Sequence, residues 1–565
     1  MTPSKDQDIK AWFDALEGHV EPWELNRFED AAEREAAFSG QLHFGTGGIR
    51  EIMGIGPARM NAVTIARAAQ GLANYLRQQD GTEGAPLSVV IAYDSRRHSE
   101  DFAHVTAGVL AASGIHVYLF QHCVSTPILS FSVRELHCDA GVVLTASHNP
   151  MQYNGFKVYG PTGDQATDAL ARGVQSCISE VPMFPMPARV PVEEGIASGS
   201  IELVGEELVD RFVAAVLTQS TCIDCSGIKV VYSPLNGTGL EPAEKIFKAR
   251  GVDYKVIDAQ RLPDGAFPTC PKPNPENPQA MHLAMVRAQV DGADIALASD
   301  PDADRLGVAV NHHGQMRLLT GNEVALLLLD FLCTVGKRVS SPVAVTTIVS
   351  TPLADTIAQE NGIELRRTLT GFKYVGEQLD LLEHKDQADR FLLGFEESCG
   401  YLRGSYARDK DASVALLLVC ELMAWHKASG RDLVDALESI YDRYGYMADR
   451  QISVELTQKQ IAATMLHVRA NMPAEIAGTK VERVIDYSKG APMPVAGSTA
   501  PSLQTLPPSN VLEFRLEDGS KVMFRPSGTE PKVKAYVFAA GGTQDEADEK
   551  LYCLCEGIKV LMGTN

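Results

Sequence analysis

Thr145-Ala-Ser-His-Asn-Pro150 follows directly on the apolar run Ala140-Gly-Val-Val-Leu144, which places a hydroxyl where a buried strand runs out into a loop. Open α/β sheets hold their ligands at the carboxyl ends of their strands, so that is a place for chemistry. Ile295-Ala-Leu-Ala-Ser299 runs in the same way into Asp300-Pro-Asp-Ala-Asp-Arg305, and Phe391-Leu-Leu-Gly394 into Phe395-Glu-Glu-Ser-Cys-Gly400. Asp300, Asp302 and Asp304 alternate at period two, so an extended backbone would point all three carboxylates the same way. Clustered anions repel unless a cation joins them, which makes a hard-metal site the natural reading, with a solvated acidic turn as the alternative. The spacing begins like a calcium EF-hand. Arg305 stands where that loop needs Gly and Asn311 where it needs a bidentate Glu, so an EF-hand is excluded.

A serine hydroxyl is a poor nucleophile until a base or a metal assists it. His148 is adjacent to Ser147 in sequence, and Lys157 in Tyr153-Asn-Gly-Phe-Lys157 can reach the same centre. In Arg525-Pro-Ser-Gly-Thr-Glu-Pro-Lys532, Arg525 offers a fork for phosphate oxygens, Ser527 and Thr529 offer hydroxyls, and Gly528 lets backbone N–H groups approach. A plain turn between two strands is the alternative there. Phe44-Gly-Thr-Gly-Gly-Ile-Arg50 reads similarly, with Arg50 able to meet a phosphate. Ser233-Pro-Leu-Asn-Gly-Thr-Gly239 reads as a tight strand-to-helix turn. Cys222-Ile-Asp-Cys225 has no second CxxC to complete a zinc site and reads as two ordinary thiols.

These loops need elements to position them. Apolar side chains at Val63, Ala66, Ala69, Ala73 and Leu76 predict a helix over 62–78. Val89-Val-Ile-Ala92 follows as a buried strand, then a helix over 100–113 and strands over 115–120 and 140–144. The rhythm returns from Lys229 to Asp300 and from Val343 to Gly394, which predicts three related α/β units, each delivering a polar loop. Val511–Leu516, Lys521–Phe524 and Val533–Val537 alternate as half-buried antiparallel strands, and a helix closes the chain from Gln544. Linkers are expected after Val181, near Asn311-His-His-Gly314 and around Tyr446. The proline-rich stretch from Leu262 to Pro278 should be stiff and unpaired. Four domains are expected, over 1–205, 206–320, 321–445 and 446–565.

At 565 residues, with 45% hydrophobic and 22% charged side chains, the chain can bury several cores. A net charge of −21 disfavours nonspecific binding to nucleic acid or to an anionic membrane, while local Arg and Lys can still build a phosphate site. The N-terminal residues lack the apolar core of a signal peptide, and Val324–Cys333 is too short to span a bilayer. Eleven cysteines without a framework spacing suggest reduced thiols and a cytoplasmic protein.

Thr-Ala-Ser-His-Asn-Pro, Asp-Pro-Asp-Ala-Asp-Arg, Gly-Phe-Glu-Glu-Ser and Arg-Pro-Ser-Gly-Thr-Glu-Pro, each present once and in this order, resemble the α-D-phosphohexomutase superfamily, most closely its phosphoglucomutase branch. The resemblance implies four domains around one cleft, three sharing a mixed α/β fold and the last a smaller, mobile α+β domain. It implies that Ser147 carries a phosphoryl group and that Asp300, Asp302 and Asp304 bind Mg²⁺ with an oxygen on Ser147. Glu396 and Ser398 would hold sugar hydroxyls, and Arg525, Ser527, Gly528 and Thr529 the phosphate that is not reacting. Arg50 and Arg305 would sit near the phosphoserine. Gly371-Phe-Lys-Tyr374 resembles the loop that presents a basic group to the sugar, making Lys373 a candidate proton shuttle beside His148 and Lys157. Cys399 stands where relatives more often carry an aromatic or aliphatic residue. Arg408-Asp-Lys-Asp411 occurs in similar branches and reads equally as a charged helix start.

The implied reaction interconverts glucose 1-phosphate and glucose 6-phosphate through a bound glucose 1,6-bisphosphate. Mannose and pentose phosphates remain open as substrates. A serine phosphatase and a non-catalytic sugar-phosphate sensor are the rival classes, disfavoured by a second phosphate loop and a full set of reactive residues. Monomer and homodimer are both compatible with the sequence.

Overall fold

Strands Ala140–Leu144, Ile295–Ser299 and Phe391–Glu396 are buried at every residue. Continuous apolar strands of this kind need cover on both faces, which helices provide over a mainly parallel sheet. The computed structural model describes residues 5–45, 47–79, 86–336, 339–497, 504–526 and 532–562. Its contacts divide the chain into two units, Met1–Leu318 with Ser405–Cys420, and Leu319–Gly404 with Glu421–Asn565.

The first unit holds two sheets. One runs Gly48–Ile52, Tyr153–Tyr159, Ala140–Leu144, Ser88–Tyr93, His116–Phe120, Ile201–Val204. The other runs Gln315–Leu318, Leu306–His312, Ile295–Ser299, Lys229–Ser233, Asp253–Val256. In the second unit a third sheet runs Gly400–Leu402, Phe391–Glu396, Val343–Thr347, Glu364–Thr368, Val495–Ala496. Each contains one motif, a parallel pair whose second strand turns back into an antiparallel hairpin: Ser88–Tyr93 with Ala140–Leu144, Lys229–Ser233 with Ile295–Ser299, and Val343–Thr347 with Phe391–Glu396. The three polar loops are the tips of these three hairpins. The expected set of related mixed α/β units is therefore present, with the chemistry at one equivalent position in each.

The second unit also contains an all-antiparallel sheet running Tyr446–Glu455, Lys532–Gly541, Lys521–Pro526, Leu512–Leu516, Thr479–Asp486, Glu475–Ile476, closed by helix Gln544–Leu561. Leu551, Leu554 and Ile558 of that helix pack with Phe514, Phe524 and Val537 of the sheet. An excursion from this sheet sends Val495–Ala496 to pair with Leu365 and Arg366 of the third sheet. Tyr487, Met493 and Tyr536 share a core with Ile348, Val349 and Leu369.

The three stretches expected as linkers contain regular structure. The stretch after Val181 contains helix Val192–Ser198 and leads into the edge strand Ile201–Val204. His313-Gly314 is a two-residue hairpin turn with φ of 51° and 84°, since both central residues in the left-handed region match the strand twist. Tyr446 opens a ten-residue strand. The proline-rich stretch is free of strands, as expected. Cys222 is exposed and Cys225 buried, and neither forms a disulfide. Among the described residues no helix is long and apolar enough to cross a membrane.

Candidate active site

Ser147 lies in the hairpin tip between Ala140–Leu144 and Tyr153–Tyr159, with φ of 53° and only 2% of its surface exposed. A non-glycine residue in this left-handed region costs on the order of 1 kcal/mol or more and persists where its surroundings over-determine it. Here they do. The Ser147 N–H donates to Thr145 Oγ1 at 2.8 Å, and Thr145 Oγ1 donates to Asp94 Oδ2 at 2.6 Å. Arg96, fully buried and 3.2 Å from Asp94, donates to the carbonyls of Ser147 and Asn149, and to those of Pro150 at 2.9 Å and Tyr153 at 3.2 Å. Its guanidinium lies 5.0 Å from the Phe267 ring, which the proline-rich stretch supplies. That stretch packs so closely that a Cβ on Gly265 would fall 2.4 Å from the Arg97 nitrogen.

The Ser147 hydroxyl donates to Asp300 Oδ2 at 2.9 Å and lies 3.2 Å from His148 Nδ1. Asp300, Asp302 and Asp304 each bring a carboxylate oxygen within 4.8 Å of the others. They converge because the loop turns, not because an extended strand alternates. Ala303 has φ of 48° and its N–H donates back to the Asp300 carbonyl at 2.9 Å. The Ser233–Gly239 turn braces this loop from behind, Thr238 donating both N–H and Oγ1 to the Pro301 carbonyl at 2.9 Å.

All three carboxylates are essentially inaccessible. Burial, then Asp304 and Asp302, push the Asp300 carboxyl well above its ordinary range, and burial with Asp302 raises Asp304. Burial opposes ionisation of Asp302 too, but Lys157 at 2.9 Å and Thr126 at 2.8 Å hold it far below the usual carboxylate range. Asp302 Oδ1 and Asp304 Oδ1 are buried without a hydrogen-bond partner among the described residues. Unpaired buried carboxylate oxygens cost several kcal/mol, and a divalent cation among oxygen ligands satisfies them. The residues present therefore fit a hard cation.

Arg50, on the strand Gly48–Ile52, donates to Asn149 Oδ1 at 3.4 Å, and Arg305 pairs with Glu276 and lies 3.8 Å from Asp304. Enclosure of the His148 ring, followed by the charges of Arg305 and Arg50, lowers its pKa well below the ordinary value, so the imidazole is neutral. Lys157 reaches the cluster because its strand pairs with Gly48, where a Cβ would fall 2.4 Å from the Phe156 carbonyl oxygen. Only glycine permits that approach.

Arg408-Asp-Lys-Asp411 does begin a helix, Ala412–Lys427, with Asp411 accepting from the Ser413 N–H at 2.7 Å. It is not a solvated start, however. Arg408, Asp409 and Asp411 are buried, Tyr159 donates to Asp409 at 2.6 Å, and Lys410 lies 3.2 Å from Asp304. Lys410 thus settles a motif that the sequence left open between two readings, while the Asp94–Arg96 pair is one that sequence reasoning missed. Asp94-Ser-Arg96 follows a recognised strand, which was the available signal.

In the second unit, Ser398 donates to Glu396 Oε1 at 2.8 Å. The neighbouring Glu397 accepts from Thr347 Oγ1 at 3.0 Å and Ser350 Oγ at 3.3 Å, while burial and then Glu396 raise its pKa. Cys399 is buried at the hairpin tip with φ of 60°. Lys373 begins helix Lys373–Glu383, nearly buried, its Nζ 5.0 Å from the Tyr374 ring. Arg525, on the strand Lys521–Pro526, donates to the Tyr536 hydroxyl at 3.4 Å. Ser527, Gly528 and Thr529 lie outside the described residues.

Residues 41–182, 208–314 and 320–444 match the models of the α/β/α domains I, II and III of phosphoglucomutase/phosphomannomutase. The chain is 34% identical over 556 residues to a phosphoglucomutase of Staphylococcus aureus strain MRSA252, covering 97% of this chain and 98% of the relative. Its fold resembles pp63/parafusin, a phosphoglucomutase from Paramecium, in an open form: TM-score 0.69, 18% identity, 94% of this chain and 95% of that one. It also resembles a phosphoglucomutase/phosphomannomutase family protein from Burkholderia thailandensis, with TM-score 0.66, 20% identity, and 92% and 97% coverage. Sequence kinship over nearly the full length, a matching fold and a buried serine beside clustered carboxylates agree: the chain belongs to the phosphoglucomutase/phosphomannomutase family, in the phosphoglucomutase branch of the α-D-phosphohexomutase superfamily, and is a phosphohexomutase.

Proposed function

We propose that the enzyme interconverts glucose 1-phosphate and glucose 6-phosphate, with Ser147 carrying the phosphoryl group and glucose 1,6-bisphosphate as the bound intermediate. The observation that carries this reading is the Ser147 hydroxyl held 2.9 Å from one of three converged carboxylates. Ser147, Asp300, Asp302 and Asp304 would hold Mg²⁺, which when bound supplies positive charge to the phosphoryl oxygens.

In the first half-reaction the bond from Ser147 Oγ to phosphorus breaks as the bond to O6 of the sugar forms, and O6 gives up its proton. In the second, Ser147 Oγ takes the phosphoryl group from O1, and a proton returns to the sugar. His148, Lys157 and Lys373 are the proton carriers; the neutral imidazole of His148, 3.2 Å from Oγ, is set to accept one. Arg50 and Arg305 contribute positive charge beside the phosphoserine. Glu396 and Ser398 grip hydroxyls, which lets the sugar bind in two opposed orientations. Arg525, with Ser527, Gly528 and Thr529, clasps the idle phosphate. Four domains, over 1–205, 206–320, 321–445 and 446–565, would share this work, the last closing to exclude water.

Glucose is favoured by Glu396-Glu-Ser398 and by the name of the 34% identical relative. The family models cover mannose phosphates equally, so phosphomannomutase activity is the second reading. The test compares kcat/KM across glucose, mannose, N-acetylglucosamine, ribose and deoxyribose 1-phosphates with the bisphosphate present. Glucose 1-phosphate should lead the series. A lead for mannose or a pentose would reassign the substrate, and inorganic phosphate without isomerised sugar would mark a phosphatase.

A further inference from the structure

In each α/β sheet the loop after the strand paired in parallel with the hairpin braces the hairpin tip that carries the chemistry. Asp94 and Arg96 hold the Ser147 tip, and Thr238 holds Pro301 of the aspartate tip. Thr347 and Ser350 hold Glu397, next to Glu396 and Ser398. The third brace differs from the first two: it is itself gripped by a side chain from the antiparallel sheet. Lys521 donates to the carbonyls of Ile348 at 2.9 Å and Ser350 at 3.3 Å. Arg367 takes the carbonyls of Thr347 at 3.0 Å and Thr351 at 2.7 Å and shares that of Ser350 at 3.2 Å. With the loop backbone held, both hydroxyls are left to fix Glu397.

Lys521 and Arg525 stand four residues apart on one strand, so their side chains leave the same face. We propose that Lys521 is a positioning residue for sugar discrimination: from the strand that carries Arg525 it sets the loop beneath Glu397, and through it the pose of Glu396 and Ser398. This rests on the reading of Glu396 and Ser398 as sugar contacts. A second strut runs parallel to it. Asp449, on the strand Tyr446–Glu455, accepts from Asn322 at 3.0 Å, and Asn322 accepts from the Thr351 N–H at 3.1 Å.

Lys521 is 6% exposed, and its ammonium lies 4.8 Å from the Phe538 ring. Burial, then the charge of Arg367, lower its pKa to about 7. Burying such a charge opposes folding, so filling the space with an apolar side chain would be the simpler way to secure stability alone. A cavity of about 220 Å³, lined by Lys521, Arg367, Asp355 and Glu513, adjoins the loop and leaves it room to shift when the grip is lost.

The test measures kcat/KM for glucose, galactose and mannose 1-phosphates in the wild type, Lys521→Met, Lys521→Arg and Glu396→Gln, with thermal melting of each. Lys521→Met should change at least one discrimination ratio by threefold or more, mainly through KM, while Lys521→Arg keeps the wild-type ratios. If Lys521→Met does not fold, Lys521→Gln replaces it with the same expectation. Equal losses on all three sugars, or none, would overturn the proposal provided that Glu396→Gln alters a ratio. If Glu396→Gln alters none, the sugar-loop reading itself fails and takes the proposal with it.

Discussion

Ser147 is held in a left-handed pose by buried groups around it. Arg96 holds the chain from Ser147 onward, bonding carbonyls as far as Tyr153, while Asp94 reaches the Ser147 N–H through Thr145. Arg96→Lys keeps the charge and loses the fork, so the hydroxyl should drift by a fraction of an ångström to an ångström. Misplacement of that size costs up to about a hundredfold in rate. Steady-state kinetics should therefore show kcat lowered about tenfold to a hundredfold with KM within about threefold, as expected when only the transition state loses an interaction. Arg96→Met leaves Asp94 buried and unpaired and should destabilise by about 3–5 kcal/mol in denaturant unfolding. Ser147 and the three aspartates were legible because their chemistry is local, a short string of residues at a strand end. Arg96 was not, because the carbonyls it bonds come from a segment distant in sequence, and no spacing rule reports a contact made only on folding.

Among the elements, the buried strands were the most legible: 140–144 and 295–299 carry their burial in an unbroken apolar run. Val495–Ala496 was not, since two residues on a sheet edge leave no period to read. The Asp300–Arg305 loop was misjudged in shape, because period-two spacing fits a turn as well as a strand and the left-handed Ala303 decides between them. The N-terminal helix Pro22–Glu29 offers a pH test of how such elements are tied down. His98, preceding helix Ser99–Ala112, contacts Asp101 at 3.2 Å and Glu24 at 3.3 Å. Burial alone would lower its pKa, but hydrogen bonds to Asp101 and Glu24 raise it to about 9. A group raised on folding stabilises fully below its unfolded pKa and loses that contribution as pH climbs through the folded one. Denaturant unfolding of His98→Gln should thus show a loss of about 2 kcal/mol at pH 6, allowing for partial exposure, and little at pH 10.

At the scale of the molecule, a chain of net charge −21 gathers Arg50, Arg96, Lys157, Arg305 and Lys410 in the unit that holds Ser147, Asp300, Asp302 and Asp304. The acidic total describes solubility, while the local arrangement describes chemistry. If the orphaned oxygens of Asp302 and Asp304 bind a divalent ion, Mg²⁺ should raise the melting temperature without any substrate present. Saturation to about a hundredfold over the dissociation constant is worth about 2.7 kcal/mol. Asp302→Asn should remove most of that shift and lower kcat more than it raises KM.

The central claim is that Ser147 exchanges a phosphoryl group with both ends of a sugar. It is tested most directly by incubating the protein with glucose 1,6-bisphosphate, digesting it, and locating the modification by tandem mass spectrometry before and after a chase with glucose 6-phosphate. The account predicts phosphate on Ser147 that the chase discharges, and a folded, substrate-binding but inactive Ser147→Ala. Phosphate on another residue, or isomerisation by Ser147→Ala at the wild-type rate, would contradict it.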